Sequence, residues 1–174
     1  MQIILKFCNF AHMKRIETLK KHLKPGKVYR RADLQKWSAS VDRHLQSLVK
    51  DGTLEKLSGG LYYVPKQSAF GKTPANEQDL VKSFLKDARF VIMSPNDYNT
   101  LQVGTTQLYN ERRVYNYRRH GVFKLGNRTF RFVRRPYVPS KVTKELLFVD
   151  LVNNAKQLAE DQPNLMKNIK HRTA

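Results

Sequence analysis

A chain of 174 residues has room for one medium-sized domain or two small ones, and 40% hydrophobic residues are enough for a buried core. Its single cysteine, Cys8, excludes a disulfide within the chain and a cysteine-based metal site. The net charge of +19 is divided into +9 for residues 1–67 and +10 for residues 68–174, which excludes a basic tail as its source and favours a polyanionic partner through counterion release.

Residues 1–12 form an apolar leader that Lys6 interrupts. The leader is too short to span a membrane, and it lacks the small-residue cleavage site of a secretory signal. We interpret it as a docking strand, a dimer contact, or sequence that is not part of the natural protein, in which case translation starts at Met13. Together with the single cysteine, these features predict a cytoplasmic protein without a membrane partner.

Residues 13–37 predict a helix, a strand and a second helix. Apolar residues recur at helical spacing from Met13 until Pro25-Gly26, a pair that ends helices and turns the chain. Val28-Tyr29 is typical of a short strand, and the segment from Ala32 to Trp37 predicts the second helix.

A third helix is predicted after a turn at Ser38-Ala39. Ser40 is a good N-cap because its hydroxyl can accept a backbone N–H of the first turn, and Asp51-Gly52 ends the helix. Two short strands around Ser58-Gly59-Gly60 then predict a tight hairpin. This order of elements predicts a winged helix-turn-helix over residues 13–66.

The third helix and the hairpin supply the candidate DNA-binding residues. In a helix-turn-helix, the N-terminal half of the second helix faces the edges of the bases. On this pattern Arg43 can read guanine and Gln46 adenine, while Ser47 or Lys50 holds phosphate, and the hairpin tip can lie along the backbone. An ordinary polar face and a plain connection are the alternatives. The candidates are Arg30, Arg31, Ser38, Ser40, Arg43, His44, Gln46, Ser47, Lys50, Lys56, Ser58, Gly59, Gly60 and Lys66.

The second half of the chain predicts a separate domain. Residues 66–73 are typical of a linker, and residues 74–162 predict a small mixed α/β domain. Its first helices are predicted at Thr73-Pro74 and at Ser94-Pro95, because a capping residue followed by proline marks a helix start.

The end of this domain predicts an antiparallel sheet and a long helix. Gly126-Asn127 is a two-residue hairpin turn between two strands. A long C-terminal helix is predicted from residue 143 to about residue 160, and residues 163–174 are expected to be a frayed tail. The predicted fold class is therefore α+β.

The predicted sheet is unusually basic and forms a second candidate surface. Phe130 and Phe132 share one face of their strand, and Arg131 lies on the other. Aromatic and arginine side chains on a sheet can stack bases of single-stranded nucleic acid, but aromatics that face the core are the preferred interpretation. The basic residues of this second candidate surface are Arg112, Arg113, Arg118, Arg119, Lys124, Arg128 and Arg131.

Catalytic constellations find little support in the sequence. The five histidines are scattered without metal-ligand spacing, and neither a Walker-type nor a dinucleotide-type glycine loop occurs. Asp97 is explained as a helix-start residue, and Asp150 is a separate acid. We therefore expect no enzymatic activity, no cofactor and no metal.

Three stretches together resemble the AbiEi-type antitoxins of bacterial type IV toxin–antitoxin systems. They are SGGLYYVPK, TTQLYNERRVYNYRRHGVFKLGNRTFRFVRRP and TKELLFVDLVNNAKQLAED, and the resemblance covers roughly residues 13–162. It implies an N-terminal winged helix that binds the protein's own promoter. It also implies a C-terminal domain that counters a nucleotidyltransferase toxin of a phage-defence operon without forming a stable complex with it.

Carried over, the resemblance places promoter binding on residues 40–50 and the hairpin, and neutralisation on a surface within residues 74–162. Such repressors usually engage inverted repeats, so we expect two protomers on each operator. Two other hypotheses remain open from the sequence. The chain can be a structured-RNA-binding protein that uses its arginine-rich sheet, or a protein-interaction module without a nucleic-acid partner.

Overall fold

The computed structural model describes residues 16–105, 107–158 and 160–173. This part of the chain is a mixed α+β structure with helices and antiparallel sheets, which confirms the predicted fold class at that level. The leader, residues 1–12, and the predicted helix start at Met13 lie outside the described residues.

The chain divides into two compact units. The first unit runs to Lys86 and includes Leu125–Asn127, and the second comprises Asp87–Lys124 and the chain from Arg128 onward. The sequence predicts the boundary at residues 66–73, whereas the structure divides the chain after Lys86. The helix that follows residues 66–73 therefore belongs with the first unit.

The first unit begins with helices and a strand in the predicted order. Helix α1 covers residues 16–21 of the described chain, and strand β1 covers Val28–Arg30. Helix α2 (Arg31–Leu34) continues into a 3-10 turn at Gln35–Trp37, and helix α3 covers Val41–Lys50. These bounds confirm the predicted strand and the two predicted helices on either side of the turn at Ser38.

Strands β2 (Glu55–Ser58) and β3 (Leu61–Tyr63) complete a three-stranded antiparallel sheet of order β1-β3-β2. Gly60 has a φ of 71°, a conformation that side chains with a Cβ rarely adopt, so the predicted glycine tip allows this tight hairpin. The register shifts between Lys56 and Ser58, which indicates a bulge beside the tip.

One apolar cluster holds the helices of the first unit against its sheet. Leu19, Leu34 and Leu48 are fully buried, because α1, α2 and α3 each direct an apolar stripe inward. Replacing a leucine in such a position by alanine typically costs about 2–5 kcal/mol, so this cluster stabilises the packing of α3 in the first unit. The other members are Val41, Leu45, Leu54 and Val64.

The predicted linker is a second hairpin. Strands β4 (Lys66–Ser68) and β5 (Gly71–Thr73) pair antiparallel, and the Tyr63 hydroxyl donates to the Thr73 carbonyl at 2.7 Å. The linker prediction is therefore wrong, because backbone pairing orders a polar segment that shows no apolar alternation. Helix α4 (Glu77–Leu85) then begins at Asn76, whose side chain caps it, and not at Thr73-Pro74.

The second unit is built on a four-stranded sheet of order β6-β7-β9-β8. Strand β6 is followed by a 3-10 helix at Pro95–Leu101, which Ser94 and Asp97 cap reciprocally as the Ser-Pro start predicts. The strands are β6 (Phe90–Met93), β7 (Arg112–Asn116), β8 (Gly121–Leu125) and β9 (Arg128–Arg134).

This sheet is mixed rather than wholly antiparallel. Strands β6 and β7 pair antiparallel, but β7 and β9 pair parallel. The chain reverses direction after β7 and again at Gly126-Asn127, so β9 runs in the direction of β7. The prediction is wrong at this pair because β9, and not β8, lies beside β7, an order that depends on long-range pairing.

The predicted long helix is two helices. Helix α5 (Lys144–Asn154) continues into a 3-10 turn at Ala155–Gln157, and helix α6 covers Gln162–Thr173. The expected tail is therefore helical, because Leu165 and Ile169 lie four residues apart and are buried in the core of this unit. No helix in the described ranges has the length and apolar character needed to cross a membrane.

Candidate nucleic-acid interface

Helix α3 presents a polar stripe on the face opposite its apolar contacts. Arg43, Gln46 and Lys50 are exposed and Ser47 is half-buried. Their spacing of three, four and seven residues places them on one side of the helix. This stripe therefore offers a guanidinium, an amide, a hydroxyl and an ammonium group to a partner, in the positions that the sequence predicts.

Two predicted contact residues are instead part of the interior. His44 is only 1% exposed, and its Nδ1 lies 2.7 Å from the Oγ of Ser38, which is also buried. The prediction is wrong for this pair because His44 follows Val41 by three residues and lies on the buried stripe. Their hydrogen bond fastens the turn to α3, so the pair positions the stripe rather than contacting a ligand.

Ser40 precedes α3 at the N-cap position and is exposed. Within the described part of the chain, its hydroxyl accepts no capping hydrogen bond, contrary to the prediction. The backbone of Ser40 has a φ of −106° and a ψ of 45°, which lies outside the extended backbone conformation usual for an N-cap residue. Its hydroxyl therefore remains a candidate for external contacts.

Arg30 and Arg31 are both held by carboxylates. Arg30 donates two hydrogen bonds of 2.9 Å to Asp33, and Arg31 donates two of 2.6 Å to Asp42 at the start of α3. The hydrogen bonds from Arg31 lower the pKa of Asp42. A phosphate at these arginines would have to share them with the carboxylates, so we expect them to contribute less than Arg43 or Lys50.

The tip of the β2–β3 hairpin lies beside the start of α2. The Gly60 carbonyl accepts a 2.8 Å hydrogen bond from the Arg31 backbone N–H, which fixes the tip. Lys56 and Gly59 are exposed, whereas Ser58 is half-buried. This arrangement keeps a cation and an open glycine backbone at the surface, as the sequence predicts.

The β4–β5 hairpin is not among the elements that the sequence predicts. Lys66, assigned to the first hairpin, begins β4, and Lys72 lies on β5; both are exposed. Phe70 at the turn is fully exposed. The only local signal was Gly71, which has a φ of 102° and follows the two-residue turn.

The second basic surface is smaller than predicted, because Arg113 is buried. Its Nε donates to Glu111 at 2.6 Å, and its Nη1 lies 3.8 Å from Asp150. Burial raises the pKa of Glu111, but hydrogen bonds from Arg113 and Arg131 outweigh it and leave the pKa below its usual value. The prediction of Arg113 as a surface contact is therefore wrong: the two carboxylates compensate its charge inside the unit.

The other basic candidates lie at or near the surface. Arg118 pairs with Asp87 at 3.2 Å and Arg131 with Glu111 at 3.1 Å. Arg112 and Arg128 are half-buried, whereas Arg119 and Lys124 are exposed. Carboxylates thus already share part of this surface, which weakens its attraction for phosphate.

The aromatic residues of the sheet face inward where the prediction expected them to. Phe130 and Phe132 are fully buried, and Arg131 between them is exposed. The preferred interpretation is thereby confirmed for this strand, and these rings are not available to stack bases.

Asp150 lies at the centre of a buried polar cluster that the sequence did not reveal. The hydroxyls of Tyr98 and Tyr115 both donate to its carboxylate, and the Asn154 amide donates at 3.1 Å. Burial and the bond to Asp150 raise the pKa of Tyr115 to about 12. The only sign of this cluster in the sequence is an aspartate within the apolar run LLFVDLV, and it does not indicate which residues bind to it.

Neither a scan against protein-family models nor a search of curated proteins finds a match to this chain. Among the described residues, no three His, Cys, Asp or Glu side chains are grouped so that they could hold a metal ion. The functional assignment therefore depends on the geometry of the two units and on the resemblance in sequence.

Proposed function

We propose that the first unit is a winged helix-turn-helix that binds double-stranded DNA. The observation that carries this proposal is the exposed stripe of Arg43, Gln46, Ser47 and Lys50 on α3, directly after a turn fastened by Ser38 and His44. The order of helices and strands and the β1-β3-β2 sheet support it, because that order is typical of winged helices.

In this proposal α3 is the recognition helix. Arg43 donates to guanine and Gln46 contacts adenine, while Lys50 and Lys56 contact phosphates. His44 and Ser38 support the helix from inside. The net charge of +19 supplies the long-range attraction to the polyanion.

We further propose that the chain represses its own operon and acts as an antitoxin against a nucleotidyltransferase toxin. The resemblance to AbiEi-type antitoxins supports this role, and the compact second unit with its own core offers a separate surface for it. The exposed cations Arg118, Arg119 and Lys124 are the first candidates on that surface.

A footprint on the DNA upstream of the gene tests the repressor role. We expect the full-length protein to protect repeated half-sites, and Gln46→Ala to abolish protection at a concentration where Lys82→Ala, an exposed change on α4, leaves it intact. Protection that shows no preference over competitor DNA would exclude specific repression.

Growth rescue tests the antitoxin role separately. If the adjacent reading frame encodes a nucleotidyltransferase that arrests growth, co-expression of this chain should restore growth without co-purification of the two proteins. An Arg43→Ala variant should still rescue, because neutralisation is assigned to the second unit. Failure of the wild-type chain to rescue would exclude this role and leave DNA binding unaffected.

A further inference from the structure

The second unit contains an open cleft between the segment after β9 and helix α5. Its volume is ≈ 560 Å³, within the range of about 300–1,000 Å³ that small-molecule sites occupy. The cleft lies entirely within the second unit, so neither α3 nor the hairpins of the first unit take part in it.

Two cations line this cleft. Arg135 lies over the ring of Tyr115, with its guanidinium carbon 5.6 Å from the ring centroid, and Lys141 extends from the segment before α5. Within the described chain, neither residue forms an ion pair with a carboxylate. Because the Tyr115 hydroxyl is itself held by Asp150, the stacked guanidinium has a fixed support.

The floor of the cleft does not oppose an anion. Asp150 contributes to the lining, but its carboxylate accepts hydrogen bonds from Tyr98, Tyr115 and Asn154 and lies 3.8 Å from the Arg113 guanidinium. Its negative charge is therefore stabilised by these hydrogen bonds and offset by Arg113, whereas Arg135 and Lys141 remain available.

The remaining wall is apolar and aromatic at the surface. Tyr137 is 77% exposed and Val149 is 60% exposed, although both are large hydrophobic side chains, and Leu146 lies in the same wall. Asn153 adds an amide that can both donate and accept. A ligand that satisfies this lining has an anionic group, a flat ring and polar ring edges.

We propose that this cleft binds a nucleoside phosphate. The phosphate contacts Arg135 and Lys141, the base stacks on Tyr137, and Asn153 contacts the base edge. The ligand can be a free nucleotide or one nucleotide of single-stranded RNA. This site goes beyond the DNA binding proposed for α3 and does not depend on it.

Calorimetric titration of the full-length protein with adenosine and guanosine monophosphates tests the proposal. We expect saturable binding with one site per chain, weakened about tenfold or more by Arg135→Gln and by Lys141→Gln. Arg134→Gln and Lys144→Gln make the same charge changes at exposed residues outside the cleft and should change the affinity by less than about twofold. Equal losses in the matched pairs would overturn the proposal, as would absence of saturable binding to either nucleotide and to RNA.

The second arm tests the aromatic contact and the source of the nucleotide. Tyr137→Ala should weaken the binding of a nucleotide but not that of inorganic phosphate, whereas Phe70→Ala should change neither. Inorganic phosphate that binds as tightly as the nucleotides would overturn the assignment of a base-stacking wall. Tighter binding of a 5′-phosphorylated RNA trinucleotide than of the mononucleotide, with the same dependence on Arg135, would support the site and identify RNA as the source.

Discussion

At the residue scale, the hydrogen bond between Ser38 and His44 fastens the turn before α3 to the helix itself. Both side chains are buried, so removing the Ser38 hydroxyl leaves the Nδ1 of His44 without this hydrogen bond. Such a loss typically lowers the free energy of unfolding by about 1–3 kcal/mol. The consequence is that a change here acts on folding and not on the chemistry of the exposed stripe.

Ser38→Ala should therefore lower the free energy of unfolding by about 1–3 kcal/mol, measured by chemical denaturation. Ser40→Ala, an exposed neighbour, should change it by less than about 0.5 kcal/mol. DNA affinity of the folded Ser38→Ala protein should stay within a few-fold of wild type. A normal stability combined with lost DNA binding would mean that Ser38 contacts DNA.

Glu111 makes stability depend on pH. Its pKa in the folded state lies below the usual value of 4.5, because the hydrogen bonds from Arg113 and Arg131 outweigh its burial. The folded state then binds fewer protons than the unfolded state at acidic pH, so this contribution is complete above about pH 4.5 and is lost as the pH falls through the folded pKa.

Glu111→Gln should flatten the dependence of unfolding free energy on pH below about 4.5, and Arg131→Gln should flatten it partially, because Arg131 is one of two donors. Denaturation curves at pH 3 to 6 measure this effect. A slope that is identical in wild type and Glu111→Gln would show that other acids account for it.

At the element scale, helix α6 is a structural part of the second unit. Leu165 and Ile169 are buried with residues of α5 and the 3-10 helix at Pro95–Leu101. Because these contacts remove apolar surface from water, α6 stabilises the unit even though its sequence is polar overall.

Leu165→Ala should lower the free energy of unfolding of the second unit by about 2–5 kcal/mol. Lys167→Ala, on the exposed side of the same helix, should change it by less than about 0.5 kcal/mol. Calorimetric unfolding of the full chain distinguishes the two. A neutral Leu165→Ala would indicate that α6 does not pack as described.

The elements also show what the sequence could and could not predict. The sequence predicts helices α2 and α3 and the hairpin at Gly60, because apolar periodicity, a turn and a glycine pair are local signals. The hairpin at residues 66–73 has no apolar alternation, and Gly71 alone is too weak a local signal to predict its pairing. The parallel pairing of β7 with β9 depends on contacts between distant segments, and the spacing of residues along the sequence does not predict such contacts.

The residues of the candidate site likewise include some that local sequence predicts and some that it does not. Arg43, Gln46 and Lys50 follow from helical periodicity once the apolar stripe of α3 is known. The polar type of His44 predicts a surface position, although its place three residues after Val41 indicates the buried stripe. Arg113 could not be recognised as internal, because its partner Asp150 comes from a helix that begins far along the chain.

At the scale of the whole molecule, the charge of +19 predicts strongly salt-dependent binding. Each phosphate contact contributes a slope of about −0.9 to the logarithm of the binding constant against the logarithm of salt concentration. Lys50→Ala should therefore weaken binding to all DNA sequences and reduce this slope by about 1, measured by fluorescence anisotropy at several salt concentrations. Binding that is insensitive to salt would favour a protein-interaction module.

The most direct test of the DNA-binding account compares the two basic units in one competition experiment. Anisotropy at fixed salt measures the preference of the full-length protein for its own upstream DNA over a scrambled duplex of equal length. We predict that Arg43→Ala combined with Gln46→Ala removes this preference, since each base contact contributes about 1–3 kcal/mol, whereas Arg118→Ala combined with Arg119→Ala preserves it. A preference that survives the α3 changes and disappears with the sheet changes would contradict the account.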